Sequence, residues 1–260
     1  MRDESALRPL YAFAPKLRST SDRALTVYLT ARPEGFDMRH YDRELRELTR
    51  RYQDRLDDEE RKIMERELRR LREHLEVVKP SGSPALAGFA DEPAGLLELI
   101  KLPMETEARL EVGPLLLAPI ERQLERFPPA LIAVVDKERA RLFAAVLDEV
   151  YPLEQVHGME VKHTRAGGTS AASNQRKADN RTKANLERVT DAIGHEVQSG
   201  AYRRIFVAGP EEARAELERL MPPPLKRLLA GHLSAEIDSH RLQHELRDQL
   251  VLARAANSAE

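Results

Sequence analysis

Between residues 38 and 78, apolar side chains return every three or four positions, a period that belongs to a helix. Tyr41, Leu45, Leu48, Tyr52 and Leu56 make one run, and Met64, Leu68, Leu71, Leu75 and Val78 make the next. Each run lays a narrow apolar stripe on a charged cylinder, which must be covered by something else. Between them stands Asp57-Asp58-Glu59-Glu60, which interrupts the stripe. Asp57 and Glu60 have the spacing of a capping box, the reciprocal bonding that starts a helix. The expectation is an antiparallel pair of helices with an acidic tip, one long helix being the alternative.

Strands to receive those stripes lie on either side. Residues 25–31 (LTVYLTA) are β-branched and aromatic and alternate in polarity, and three further strands are expected at 85–90, 95–102 and 107–117. Pro119, Pro128 and Pro129 surround a short helix at 120–127 and mark a boundary. The division is therefore an N-terminal α/β domain, 1–127, with its helical hairpin at 38–78, and a second domain, 128–260. In the second, ALIAVV (130–135) is a continuous apolar run suited to a buried strand, answered by strands at 139–147 and 150–157. The glycine-bearing stretch 164–173 reads as a mobile loop. A long helix follows from about 174 to 198, then a strand at 203–209, a helix at 211–221, a Pro-Pro-Pro break, a helix at 225–230, a strand at 233–237 and a last helix from about 239. The class is mixed α+β, with a sheet and helices in both halves.

Composition removes several chemistries. The chain has no cysteine, so disulfides, thiolate metal sites and a thiol nucleophile are excluded. Aromatics are 5% and tryptophan is absent, which argues against a broad base-stacking platform. No apolar run approaches the ~18 residues of a membrane span, and MRDESALRPL carries no apolar signal core. A cytoplasmic protein with no membrane partner is the expectation. His240 and His244 stand four apart on the last helix, but two ligands do not make a metal site, and both lie opposite the Leu242, Leu246, Leu250 stripe. Gly209-Pro210 ends a strand as phosphate sites do, yet Glu211 and Glu212 in the next turn would repel an anion. No cofactor or metal is expected.

Net charge is −2, but it is unevenly spread. From Val161 to Leu186 there are six basic residues, Lys162, Arg165, Arg176, Lys177, Arg181 and Lys183, against one acidic residue, Asp179. At roughly 100° per residue, Lys177, Arg181 and Arg188 share one side of the long helix, and Leu186, Val189, Ile193 and Val197 the other. One face would pack on a sheet, and the other would present a cationic stripe suited to nucleic-acid phosphates. A merely solvated helix with a floppy loop ahead of it is the alternative.

The string KHTRAGGTSAASNQRKADNRTKANLERV (162–189) resembles the central signature of the archaeo-eukaryotic class-one peptide release factors and the related Pelota-type rescue factors, in their bacterial branch. Lys162-His163 matches the family's basic approach, Gly167-Gly168 its glycine pair, Ser170-Ala171 the pair that follows, and Arg176 through Arg188 its basic helix. The order of elements in 130–209 resembles the family's middle domain, and 25–117 its first. The resemblance implies a loop that enters the peptidyl-transferase centre, Gly167 and Gly168 giving close approach to the peptidyl-tRNA ester. Thr169 stands where the family has the glutamine that positions water. It further implies that Lys162, His163, Arg165, Arg176, Lys177, Arg181, Lys183 and Arg188 contact rRNA or tRNA, with the ribosome as partner and a translational GTPase as a further one. Three departures qualify this: Thr169 itself, the acidic hairpin tip where the family reads stop codons, and no room after residue 260 for the domain that recruits the GTPase, so the expectation is either a fragment or a chain without that function. Two readings stay open, peptidyl-tRNA hydrolysis in ribosome rescue and non-catalytic occupation of the A site in dormancy. A structural adaptor built on the hairpin is a third.

Overall fold

The structure is a computed structural model and describes residues 7–18, 22–32, 34–159 and 171–257, with the side chains of the last stretch given for 176–253. It divides into two compact units, residues 1–127 with 147–149, and residues 128–146 with 150–260.

The first unit runs α1 (Arg8–Phe13), β1 (Ala24–Thr30), α2 (Met38–Tyr52), α3 (Asp58–Val78), β2 (Ala85–Asp91), β3 (Leu96–Leu102), β4 (Arg109–Gly113) and α4 (Ala118–Arg126). The strands lie in the order β3-β2-β1-β4, every pair antiparallel. Because side chains alternate along β1, Leu25, Val27 and Leu29 share one face of the sheet. They meet Tyr41, Leu45 and Leu48 of α2 and Met64, Leu71 and Leu75 of α3 in one buried cluster. At about 1.5–3 kcal/mol for each large apolar side chain fully buried, this packing holds the helices down. Thr26 and Tyr28 face the other way. The Tyr28 hydroxyl donates to the Leu116 carbonyl at 2.6 Å, and the Leu116 N–H donates to Thr26 Oγ1 at 3.3 Å.

The helical stretch divides into a pair. A short 3₁₀ turn, Gln53–Arg55, ends the first helix and Leu56 is extended. Asp57 then caps α3: its Oδ1 accepts the Glu60 N–H at 2.8 Å, and its own N–H donates to Glu60 Oε2 at 2.9 Å. Residues 107–117, expected as one strand, pair only over β4, and Pro114, with no N–H to give, ends the ladder on its C-terminal side.

The second unit runs β5 (Ala130–Val135), β6 (Arg139–Val146), β7 (Glu149–His157), α5 (Ala171–Gln198), β8 (Arg204–Ala208), α6 (Glu211–Leu220), α7 (Pro223–Lys226), β9 (Leu229–Leu233) and α8 (Leu242–Asn257). Its sheet has the order β7-β6-β5-β8-β9, with β5 antiparallel to β6, parallel to β8, and β8 parallel to β9. Ile132, Val134, Phe143, Ala145, Phe206 and Leu233 form a core with Leu242, Leu246 and Leu250 of α8. On the long helix Leu186, Val189 and Ile193 are buried, and α5 packs on β5, β6 and α6.

Four expectations shift here. The helix placed at 225–230 is α7, and the strand placed at 233–237 is β9. Pro222 is the N-cap of α7 and Pro223 and Pro224 open it, positions where a missing N–H costs nothing. The strand follows early and pairs Leu229 with Ile205 and Leu233 with Ala208. Ala235 and Ile237 do cover the core, but from irregular chain, so their alternation imitates a strand. The last helix likewise begins at Leu242 rather than near 239. Residues 171–173, expected in the loop, form the first turn of α5, where Ala171 and Ala172 favour helix.

Candidate nucleic-acid interface

α5 is anchored by its apolar side, and its exposed side carries the charge. Arg176, Lys177, Arg181, Lys183 and Arg188 are all exposed, whereas Ala178, Asn185, Leu186, Val189, Thr190 and Ile193 are buried. The cations do not form one line. Lys177, Arg181 and Arg188 fall within about 40° of each other, and Arg176 and Lys183 stand about a quarter to a third of a turn away. Lys183 reaches Glu187 at 3.8 Å. Its charge also helps to hold the Glu216 carboxyl of α6 below the usual carboxylate range, though the hydrogen bond from Arg219 does most of that. Lys162, His163, Arg165, Gly167, Gly168 and Thr169 lie outside the described residues.

Sequence reasoning missed a residue that fixes the chain on the way to that loop. Asn185 is 2% exposed and sits inside α5 between the cationic side and the core. Its Nδ2 donates to the carbonyls of Met159 at 2.9 Å and Lys137 at 3.1 Å, and its Oδ1 accepts the Met159 N–H at 2.7 Å. One amide thus joins α5, the β5–β6 turn and the chain just after β7. Gly158 makes the approach possible. Its N–H donates to the Glu138 carbonyl at 2.8 Å, and a Cβ there would lie 2.3 Å from the Asn185 side chain. The only sequence signal is a polar residue between Ala184 and Leu186 near the core side of the helix, and a glycine directly after a strand.

The other candidates stay minor. The turn after β8 is filled from within: Lys137 pairs with Glu212 at 2.7 Å, and that contact depresses the Glu212 carboxyl. His244 is exposed and faces Asp248 at 3.4 Å. Among the described residues no group of three His, Cys, Asp or Glu could hold a metal ion. No helix among them is long and apolar enough to cross a membrane.

Comparison with known proteins extends these observations. Among curated proteins no match is found. The fold is similar to that of an archaeal translation termination factor, aRF1, at 16% identity and a TM-score of 0.37, over 97% of this chain and 73% of that one. It is also similar to Archaeoglobus fulgidus Pelota, at 10% identity and a TM-score of 0.34, over 67% of this chain and 49% of that one. A third similarity is to S. cerevisiae Dom34, described as a translation termination-like factor in RNA quality control that interacts with Hbs1, at 9% identity and a TM-score of 0.34, over 66% of this chain and 52% of that one. These likenesses are remote, and the assignment rests on residues 116–260, which match the model of bacterial archaeo-eukaryotic release factor family 10. The chain belongs to that family, and with it to the release-factor-like proteins of translation.

Proposed function

We propose that this protein acts on the ribosome and hydrolyses the peptidyl-tRNA ester of stalled complexes. The observation that carries the reading is the exposed Lys177, Arg181 and Arg188 side of α5, on a helix whose opposite side is locked into the sheet. Such a helix can lie on phosphates without unfolding anything. Upstream, Gly167 and Gly168 would let backbone approach the ester, and Lys162, His163, Arg165, Arg176 and Lys183 would add contacts to rRNA or tRNA. Thr169 would supply its hydroxyl, and loop N–H groups would meet the developing oxyanion, a service worth about 10²–10³ in rate per donor. No cofactor enters. A translational GTPase is the partner we would look for first, and the cytoplasm the compartment.

A specific residue favours a second reading. Thr169 is shorter than the family's glutamine, which suits a protein that occupies the A site and hydrolyses nothing. The test is peptide release from ribosome-bound peptidyl-tRNA by the natural protein, Thr169→Gln and Thr169→Val. Release by the natural protein that is lost in Thr169→Val supports hydrolysis. No release by any form, with ribosome binding intact, supports the occupant. Changing Lys177, Arg181 and Arg188 together to glutamate should abolish cosedimentation with ribosomes in either case. If cosedimentation survives, the reading of α5 fails.

A further inference from the structure

The first unit carries a second cationic face that its fold does not require. Arg39, Arg43, Arg46 and Arg50 are all exposed on α2. Their spacings of four, three and four residues bring them within about 60° of one another, a single crest along the helix. The buried Tyr41, Leu45 and Leu48 lie on the opposite side, against the sheet. The crest therefore points straight away from the core.

What flanks it is as telling as the crest itself. Asp42 on one shoulder is taken up by Arg72 of α3, through contacts of 2.7 and 3.0 Å. Glu47 on the other shoulder is taken up by Arg51 at 2.9 Å. Among the described residues no carboxylate pairs with Arg39, Arg43 or Arg50, and Arg46 uses only its Nε, on the Asp42 carbonyl at 3.0 Å. Asp42 and Glu47 are thus neutralised by other arginines, and Glu65 of α3, the further acid on the groove, pairs with none of the four crest arginines among the described residues. Across the groove between the two helices, a hollow of about 610 Å³ floored by Leu45 and Leu68, Arg69 adds a further exposed cation. Like charges three and four apart weaken a helix, so nothing in the stability of α2 explains the arrangement.

We infer that the crest of α2, with Arg69, binds the phosphodiester backbone of an RNA helix. Successive arginines are about 4.5–6 Å apart along the axis and the four span about 16 Å, a straight row of point charges facing a polymer that carries one charge per nucleotide. Guanidinium forks suit phosphate oxygens. A folded protein partner fits less well, since the crest has no apolar side chain to form the dry centre of such an interface. Single-stranded RNA also fits less well. It is usually held by aromatic stacking, and no aromatic side chain stands on the crest. Recognition would be of backbone and shape rather than of sequence. The acidic residues from Asp54 to Glu60 at the end of the hairpin would mark where the contact stops. This face belongs to the other unit and stands independently of the reading of α5.

The test uses the full chain and a short hairpin RNA, with single-stranded RNA of the same length and polyglutamate as the alternative probes. The variants are R39Q/R43Q/R46Q/R50Q, the same four positions changed to lysine, and the glutamate triple on α5. Glutamine favours helix and these positions are exposed, so the melting temperature should not fall. At about 100 mM salt, the glutamine variant should lose more than tenfold in affinity for the hairpin. The slope of log K against log salt should drop by roughly two to four, somewhat under one per lost phosphate contact. The lysine variant should keep most of the slope. Wild-type affinity and slope in the glutamine variant would overturn the inference, as would tighter crest-dependent binding to polyglutamate or to single strands. If the α5 triple binds the hairpin normally while the glutamine variant does not, the inference about the crest stands, and the reading of α5 is decided separately by cosedimentation with ribosomes.

Discussion

At position 185 three hydrogen bonds converge on one buried amide. Asn185 is inside a helix, yet its side chain bonds to nothing in that helix; both its donor contacts and its acceptor contact go to residues 137 and 159. Removing it takes the side-chain partner from the Met159 N–H and from the Met159 and Lys137 carbonyls, all part-buried contacts. A hydrogen bond of this kind contributes about 0.5–1.5 kcal/mol net, so Asn185→Ala, which loses three, should lower stability by about 1–3 kcal/mol, read as a fall in the urea midpoint at unchanged slope. Asn185→Asp should do worse, because a carboxylate would face the Lys137 and Met159 carbonyls that the Nδ2 now serves. None of this was legible in the sequence. The partners of Asn185 lie 26 and 48 positions away, and no local pattern encodes a contact of that span. Lys177, Arg181 and Arg188 were legible for the opposite reason: their exposure follows from helical period alone once Leu186 and Ile193 are taken as core.

Elements were readable where local chemistry and packing agree. The division of 38–78 into α2 and α3 shows this. Residues 57–60 break the apolar stripe, and the same residues supply the side chains that cap α3. Asp57→Ala removes that cap and should cost about 1 kcal/mol, seen as a lower melting temperature. Asp57→Asn or Ser should restore most of the loss. β9 shows the converse. The alternation of Leu233, Ala235 and Ile237 reflects a surface the chain covers rather than a ladder it joins. The ladder goes to Leu229–Leu233, whose partner residues on β8 lie far back in the sequence. The prolines at 222–224 read as a break because they cannot continue a helix, whereas here they begin one.

At the scale of the molecule, the two units share a response to alkali. Burial pushes the Tyr41 phenol up to about 12, helped by the charges of Glu44 and Asp37. Burial likewise pushes Tyr202 up to about 12, with Glu196 adding to it. Tyr28 is raised in the same direction by the same cause. The unfolded chain ionises its tyrosines near pH 10. Below that pH both states are neutral and stability is unaffected. Above it the unfolded state alone releases protons, so stability should fall as pH rises from about 10 to 12. Urea midpoints across that range should decline. Tyr41→Phe should flatten part of the decline that belongs to the first unit, the rest staying with Tyr28, and Tyr202→Phe the part that belongs to the second.

The parallel pairing of β5 with β8 has a consequence for how the chain is made. Ala130 is paired with Arg204, and Val134 with Ala208. During synthesis β5 therefore emerges with β6 close behind it to cover one edge, while its other edge waits for most of the second unit. ALIAVV is uncharged and entirely buried in the finished sheet. Until the later strand arrives, it is an open apolar edge of the kind that recruits other chains. Closing that gap brings together residues far apart in sequence, a slow step in any fold. Refolding yield should therefore fall as protein concentration rises, and a chaperone that shields nascent strands should recover it.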